Sequence, residues 1–136
     1  MAPNYQATVA SWHYIDCTTG SVVAYTTGVT AVNGAYTGAV YSPTQNRIYL
    51  MPTGQSNQTS WHYIDCNTGS VVAYTAGVTA VSAAYYGGAY SPTQNRIYLA
   101  PQNIANQATW HCISSIGDRS GICPYQFGST ILSSTL

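Results

Sequence analysis

The stretch SWHYIDCTTGSVVAYTTG, Ser11 to Gly28, decides how this chain is read. WHYID and SVVAYT are short runs rich in aromatic and β-branched residues, and between them CTTG has the small, polar and glycine content of a tight turn. The segment predicts two strands folded back on each other as a hairpin. It returns at Ser60 to Gly77 as SWHYIDCNTGSVVAYTAG with two changes, and a third copy starts at Trp110 as WHCISSIGDRSGIC before diverging. Trp12, Trp61 and Trp110 therefore stand 49 residues apart, a period in the range that marks blades, coils or solenoid turns.

Outward from that hairpin, GAVYSP (Gly38 to Pro43) and RIYLMP (Arg47 to Pro52) flank the turn residues TQN. They predict a second hairpin in the same period. One period thus reads as four short antiparallel strands, and no window holds a 3.6-residue apolar spacing long enough to compete as a helix. A single unit of this kind cannot bury both faces, which is the physical reason for repetition: stacked copies cover each other.

Four strands in about 50 residues resembles the blade of a β-propeller. YSPTQNRIYL followed by YIDCNTGSVVAYTAGVTAV is similar to the YVTN-type blade, with matching positions Ser91, Pro92, Arg96, Ile97 and Tyr98, then Ile64, Asp65, Thr68, Val71, Val72 and Ala73. The likeness also covers Ser42 to Leu50 and Ile15 to Ala24 and extends to about Gln107. Kelch blades share the length but carry a double glycine, matched here only by Gly87-Gly88. The near-identity of the copies also resembles repetitive propeller-like proteins of phages and large viruses. What these resemblances imply is an all-β architecture of propeller-like blades.

On this reading residues 1–136 form a single repeat domain: 1–37 a half blade, 38–86 a full blade, and 87–136 a variant terminal blade with a tail strand. About two and a half blades fall short of the roughly four that close a ring. The expectation is therefore a homo-oligomer formed by strand addition, the tail Ser129 to Leu136 of one subunit joining the Trp12 to Thr26 hairpin of another.

Composition narrows the function classes. The only charged residues are Arg47, Arg96, Arg119, Asp16, Asp65 and Asp118, the net charge is +0, and Lys and Glu are absent. A nucleic-acid partner needs a basic face to neutralise phosphates, so none is expected. No apolar run approaches the roughly 18 to 20 residues of a membrane span, and MAPNYQATVAS lacks the basic start and apolar middle of a signal peptide. An uncharged surface of Thr, Ser, Asn, Gln and Tyr fits a virion or extracellular protein.

Candidate functional residues each have two readings. His13, His62 and His111 recur once per period at one strand position, so in a propeller they diverge and cannot converge on one metal ion; they are expected to hydrogen-bond neighbouring strands or blades. Asp16 and Asp65 open the CTTG and CNTG turns, where a carboxylate accepts backbone N–H bonds. Arg47 and Arg96 begin a strand, and pairing with Asp16 or Asp65 is the plainest assignment for a guanidinium in so sparsely charged a chain. Trp12, Trp61 and Trp110 are expected to be at least partly buried between sheets, with the indole N–H finding an acceptor.

Cys112 and Cys123 fall opposite each other across a turn centred on Gly117-Asp118 and are expected to form a disulfide, whereas Cys17 and Cys66, at equivalent repeat positions, are not expected to bond each other. The chain has no nucleophile elbow, phosphate-binding loop or His-Glu-x-x-His pattern, so neither enzymatic activity nor a cofactor is expected. The first reading is a self-assembling structural protein. The alternative is a glycan- or receptor-binding module using the polar loops that hold Gln55, Asn57 and Gln58, and Asn103, Asn106 and Gln107, since amides bond sugar hydroxyls and loops at one end of a propeller collect function.

Overall fold

The computed structural model describes residues 12–26, 28, 36–53, 60–74, 85–102 and 111–114. These form nine strands in three antiparallel sheets, with no helix among the described residues. The first sheet is the hairpin of β1 (Trp12–Ile15) and β2 (Val22–Tyr25). The second is a four-stranded meander of β3 (Tyr36–Ser42), β4 (Arg47–Pro52), β5 (Trp61–Asp65) and β6 (Ser70–Tyr74). The third holds β7 (Tyr85–Ser91), β8 (Arg96–Pro101) and β9 (Cys112–Ser114). None of the three closes on itself. No helix among the described residues is long and apolar enough to cross a membrane, which leaves strand-built spans unaddressed.

Register follows the repeat. Trp12 pairs with Tyr25 and Ile15 with Val22 in the first hairpin, as Trp61 pairs with Tyr74 and Ile64 with Val71 in the second sheet. In β4 and β5, Arg47 stands opposite Asp65 and Tyr49 opposite Tyr63; in β8 and β9, Arg96 stands opposite Ser114 and Tyr98 opposite Cys112. A register shift at Tyr36/Gly38 recurs at Tyr85/Gly87, so even the bulge is repeated.

The turns are set by local chemistry. Asp16 Oδ1 accepts the amide of Thr18 at 2.8 Å, the Gly20 amide donates to the Asp16 carbonyl at 2.6 Å, and Gly20 closes the turn at a φ of 72°. Asp65 repeats this, with the Asn67 amide on Oδ1 at 2.9 Å and Gly69 at a φ of 72°. A left-handed φ carries almost no steric penalty for glycine, which has no Cβ. The turns SPTQN take a different route, placing Asn46 and Asn95 at a φ of 51°, a conformation that asparagine tolerates better than most side chains.

Alternation along the strands gives each sheet two apolar faces. In the second sheet one face carries Tyr36, Leu50 and Val71, which form a core with Trp12 of the first hairpin and with partly buried Ile64 against it. The opposite face carries Tyr49, Met51 and Trp61, which pack with Tyr85, Ile97, Leu99 and Ile113 of the third sheet. The core is therefore two layers between three sheets, and the second sheet is covered on both sides.

Candidate functional site

The two seams between sheets hold Trp12 and Trp61, and with them His62 and His111, of the side chains singled out from the sequence. At the first seam Trp12 meets Tyr36 edge-on, ring centroids 6.2 Å apart; at the second, Trp61 meets Tyr85 in the same way at 6.1 Å. Both tryptophans are buried. Edge-to-face contact sets the positive rim of one ring on the negative face of the other and adds to the burial of large apolar surface. Trp110 lies outside the described residues.

Each seam tyrosine continues into a histidine of its own sheet. The Tyr36 hydroxyl is hydrogen-bonded to His62 Nδ1, and the Tyr85 hydroxyl to His111 Nδ1; all four residues are buried. The first pair spans from β3 to β5 over β4, and the second from β7 to the residue just before β9, over β8. Burial pushes both imidazoles below their ordinary pKa, and burial pushes the Tyr85 phenol up to about 12. A neutral imidazole with its proton on Nε2 accepts at Nδ1 from the hydroxyl, so the pair satisfies two buried polar groups without charge. Trp61 Nε1 differs from expectation: among the described residues no acceptor meets it, and the rings of Tyr74, Tyr85 and His111 stand edge-to-face with the indole at centroid distances of 6.1 to 6.2 Å.

Among the described residues the charged side chains sit at the rims. Arg47 stands opposite Asp65 and lays its guanidinium over the Tyr63 ring, 4.4 Å from the centroid. This combines a cross-strand opposite charge with a cation–π contact. Arg96 is exposed, and the residue opposite it is Ser114, since the third copy of the repeat has no aspartate there. Asp16 is held below the usual carboxylate range, first by the Thr18 amide.

A polar ladder joins the second and third sheets at the SPTQN turns. Thr44 Oγ1 donates to Asn95 Oδ1 at 2.7 Å, and the Tyr90 hydroxyl donates to the same oxygen at 2.7 Å. Within the second sheet Asn46 Nδ2 donates to Asn67 Oδ1 at 2.7 Å, tying its two turns together. Thr37 Oγ1 donates to the Tyr85 carbonyl at 3.3 Å, and Thr53 Oγ1 donates to the same carbonyl.

Cys17 and Cys66 are exposed free thiols, and the Cys66 thiol is pushed up, first by burial and then by Asp65. Cys112 is buried on β9, while Cys123, its expected partner, lies outside the described residues, as do Gln55, Asn57, Gln58, Asn103, Asn106, Gln107 and the tail Ser129 to Leu136. Among the described residues no three His, Cys, Asp or Glu side chains come close enough to hold a metal ion.

Tyr36 and Tyr85 are the seam residues that the sequence reading passed over. Their signal was present: each stands 26 positions before a repeated histidine and 49 from the other. Comparison with family models, with curated proteins and with solved structures finds no match to this chain.

Proposed function

We propose that this chain is a non-enzymatic structural repeat protein, built of YVTN-like propeller-type blades, which assembles with copies of itself as a virion or extracellular component. The observation that carries the reading is the repeated seam. Trp12, Tyr36 and His62 at the first seam, and Trp61, Tyr85 and His111 at the second, take the same positions and make the same contacts. Four residues able to do acid–base chemistry have structural partners: His62 and His111 the seam tyrosines, Asp16 and Asp65 the turn amides. A stack held by repeated seams has no intrinsic stopping point, and a net charge of +0 puts no net electrostatic barrier between copies.

The test is mass in solution by light scattering, followed by negative-stain microscopy. Rings or filaments are the expected result. A chain that stays monomeric at every concentration, or that instead binds defined sugars on a glycan array as a small closed species, overturns the reading.

A further inference from the structure

The exposed large hydrophobics among the described residues are Tyr14, Ile15, Val22, Tyr41 and Tyr86, and their repeat counterparts show why. Val22 is 63% exposed, whereas Val71, the same residue one period on, is 5% exposed because the first hairpin covers it. Ile15 is 51% exposed, whereas Ile64 packs against the same core. Ile15 and Val22 are directly opposite each other, so they form one apolar patch on the front of the first sheet. That patch carries the residues that, in the second sheet, receive the back of a preceding sheet.

The other end of the stack mirrors this. Tyr86 is 67% exposed and occupies the repeat position of Thr37, whose hydroxyl reaches the Tyr85 carbonyl in the next sheet. Ala89 and Ala100, also exposed, occupy the positions of Val40 and Met51, which pack into the core shared with the third sheet. The back of the third sheet is therefore the covering face of the repeat, offered with smaller side chains and one protruding ring.

We infer that a second copy of this chain docks head to tail, seating the Tyr86, Ala89 and Ala100 face of its third sheet on the Ile15–Val22 face of the first hairpin. The inference deepens the self-assembly reading and rests on it, but it assigns the contact to stacked sheet faces instead of strand edges. Both internal seams supply the template: front residues of one sheet are buried by back residues of the sheet before it, from the same repeat. Because the two patches differ, the contact is heterologous and propagates to a ring if its rotation closes and to a filament if it does not.

Val22→Arg and Tyr86→Arg test it, since both side chains are exposed and the variants keep their fold, checked by tryptophan emission. Each variant alone is expected to be monomeric under conditions where the parent assembles. Mixed in equal amounts they should form a one-contact dimer and nothing larger, because one keeps an intact back face and the other an intact front face. Assembly of Val22→Arg as in the parent chain, or an equal mixture that stays monomeric, overturns the contact. If that happens while the parent still assembles, only this contact fails; if deleting Ser129 to Leu136 then abolishes assembly, the junction is the strand edge. A parent that never assembles sinks the self-assembly reading itself.

Discussion

The first hairpin and the β5–β6 hairpin of the second sheet are nearly the same sequence in different surroundings. Ser11 to Gly28 and Ser60 to Gly77 differ at two positions, and their register and aspartate-glycine turns coincide, β5 and β6 each running one residue further to the Asp65–Ser70 pair. Their burial does not. Val71 lies under the first hairpin, whose Gly28 sits so close that a Cβ there would come within 2.0 Å of the Val71 carbonyl oxygen, while Val22 faces outward. Local sequence sets strand and turn; the neighbouring sheet sets what each strand is worth.

The largest expected effect is one that the two hairpins share. Trp12 and Trp61 are both buried against a tyrosine of the next sheet, so Trp12→Ala and Trp61→Ala should each lower stability by about 3 to 5 kcal/mol. Chemical denaturation followed by circular dichroism reads this. A Trp12→Ala variant as stable as the parent would mean that the first hairpin contributes nothing to the second sheet, and the comparison would break at its root.

The valines separate the hairpins. Val71→Ala removes two buried methyl groups and should cost about 2 kcal/mol, whereas Val22→Ala in a dilute monomer should stay within about 0.5 kcal/mol of the parent. If both cost the same under dilute conditions, Val22 is covered after all. If the Val22→Ala penalty appears only as concentration rises, the difference sharpens, since a partner copy then supplies the missing cover.

How much of this was legible beforehand can be argued from single elements. RIYLMP was read as a strand from Arg47 to Pro52 and is one, because apolar and β-branched residues bounded by turn chemistry carry the signal locally. GAVYSP was read from Gly38, but β3 begins at Tyr36, because the bulge at Tyr36/Gly38 lets the strand continue through a glycine that reads as its start. The burial of Trp12 and Trp61 was also anticipated, from their recurrence at the head of a strand. That His62 and His111 hydrogen-bond within the fold was anticipated as well, but their tyrosine partners were not: a bond between residues 26 apart, reaching over the strand between, depends on a face shared in three dimensions, and no short motif encodes it. The difference in burial between Val22 and Val71 is invisible to any local reading, since the residues and their neighbours in sequence are the same.

The histidines give a smaller effect with a definite sign. Tyr36→Phe leaves His62 Nδ1 buried without its hydroxyl and should cost about 1.5 kcal/mol. In the parent, burial holds His62 and His111 below the ordinary value of 6.5, so near that pH the unfolded chain binds more protons than the folded one. Stability should be fully present above pH 6.5 and fall as the pH drops through 6.5 towards the lower folded pKa values, where the native rings also protonate. Denaturation midpoints that do not change between neutral and mildly acidic pH would show that neither ring is shielded.

The turn glycines should give an effect that is equal in the two hairpins. Gly20 and Gly69 both sit at a φ of 72° with no atom within 4 Å of where a Cβ would stand, so alanine meets backbone strain but no collision. Each Gly→Ala change should therefore cost about 1 kcal/mol, the penalty of a left-handed conformation in a residue with a Cβ, offset in part by the narrower freedom of the unfolded chain. Because the strain is local, the covering sheet should not alter it. Matching losses for Gly20→Ala and Gly69→Ala in thermal melts, set beside the unequal losses for Val22→Ala and Val71→Ala, would separate what the turn dictates from what the neighbouring sheet adds; unequal glycine losses would mean that packing reaches into the turn itself.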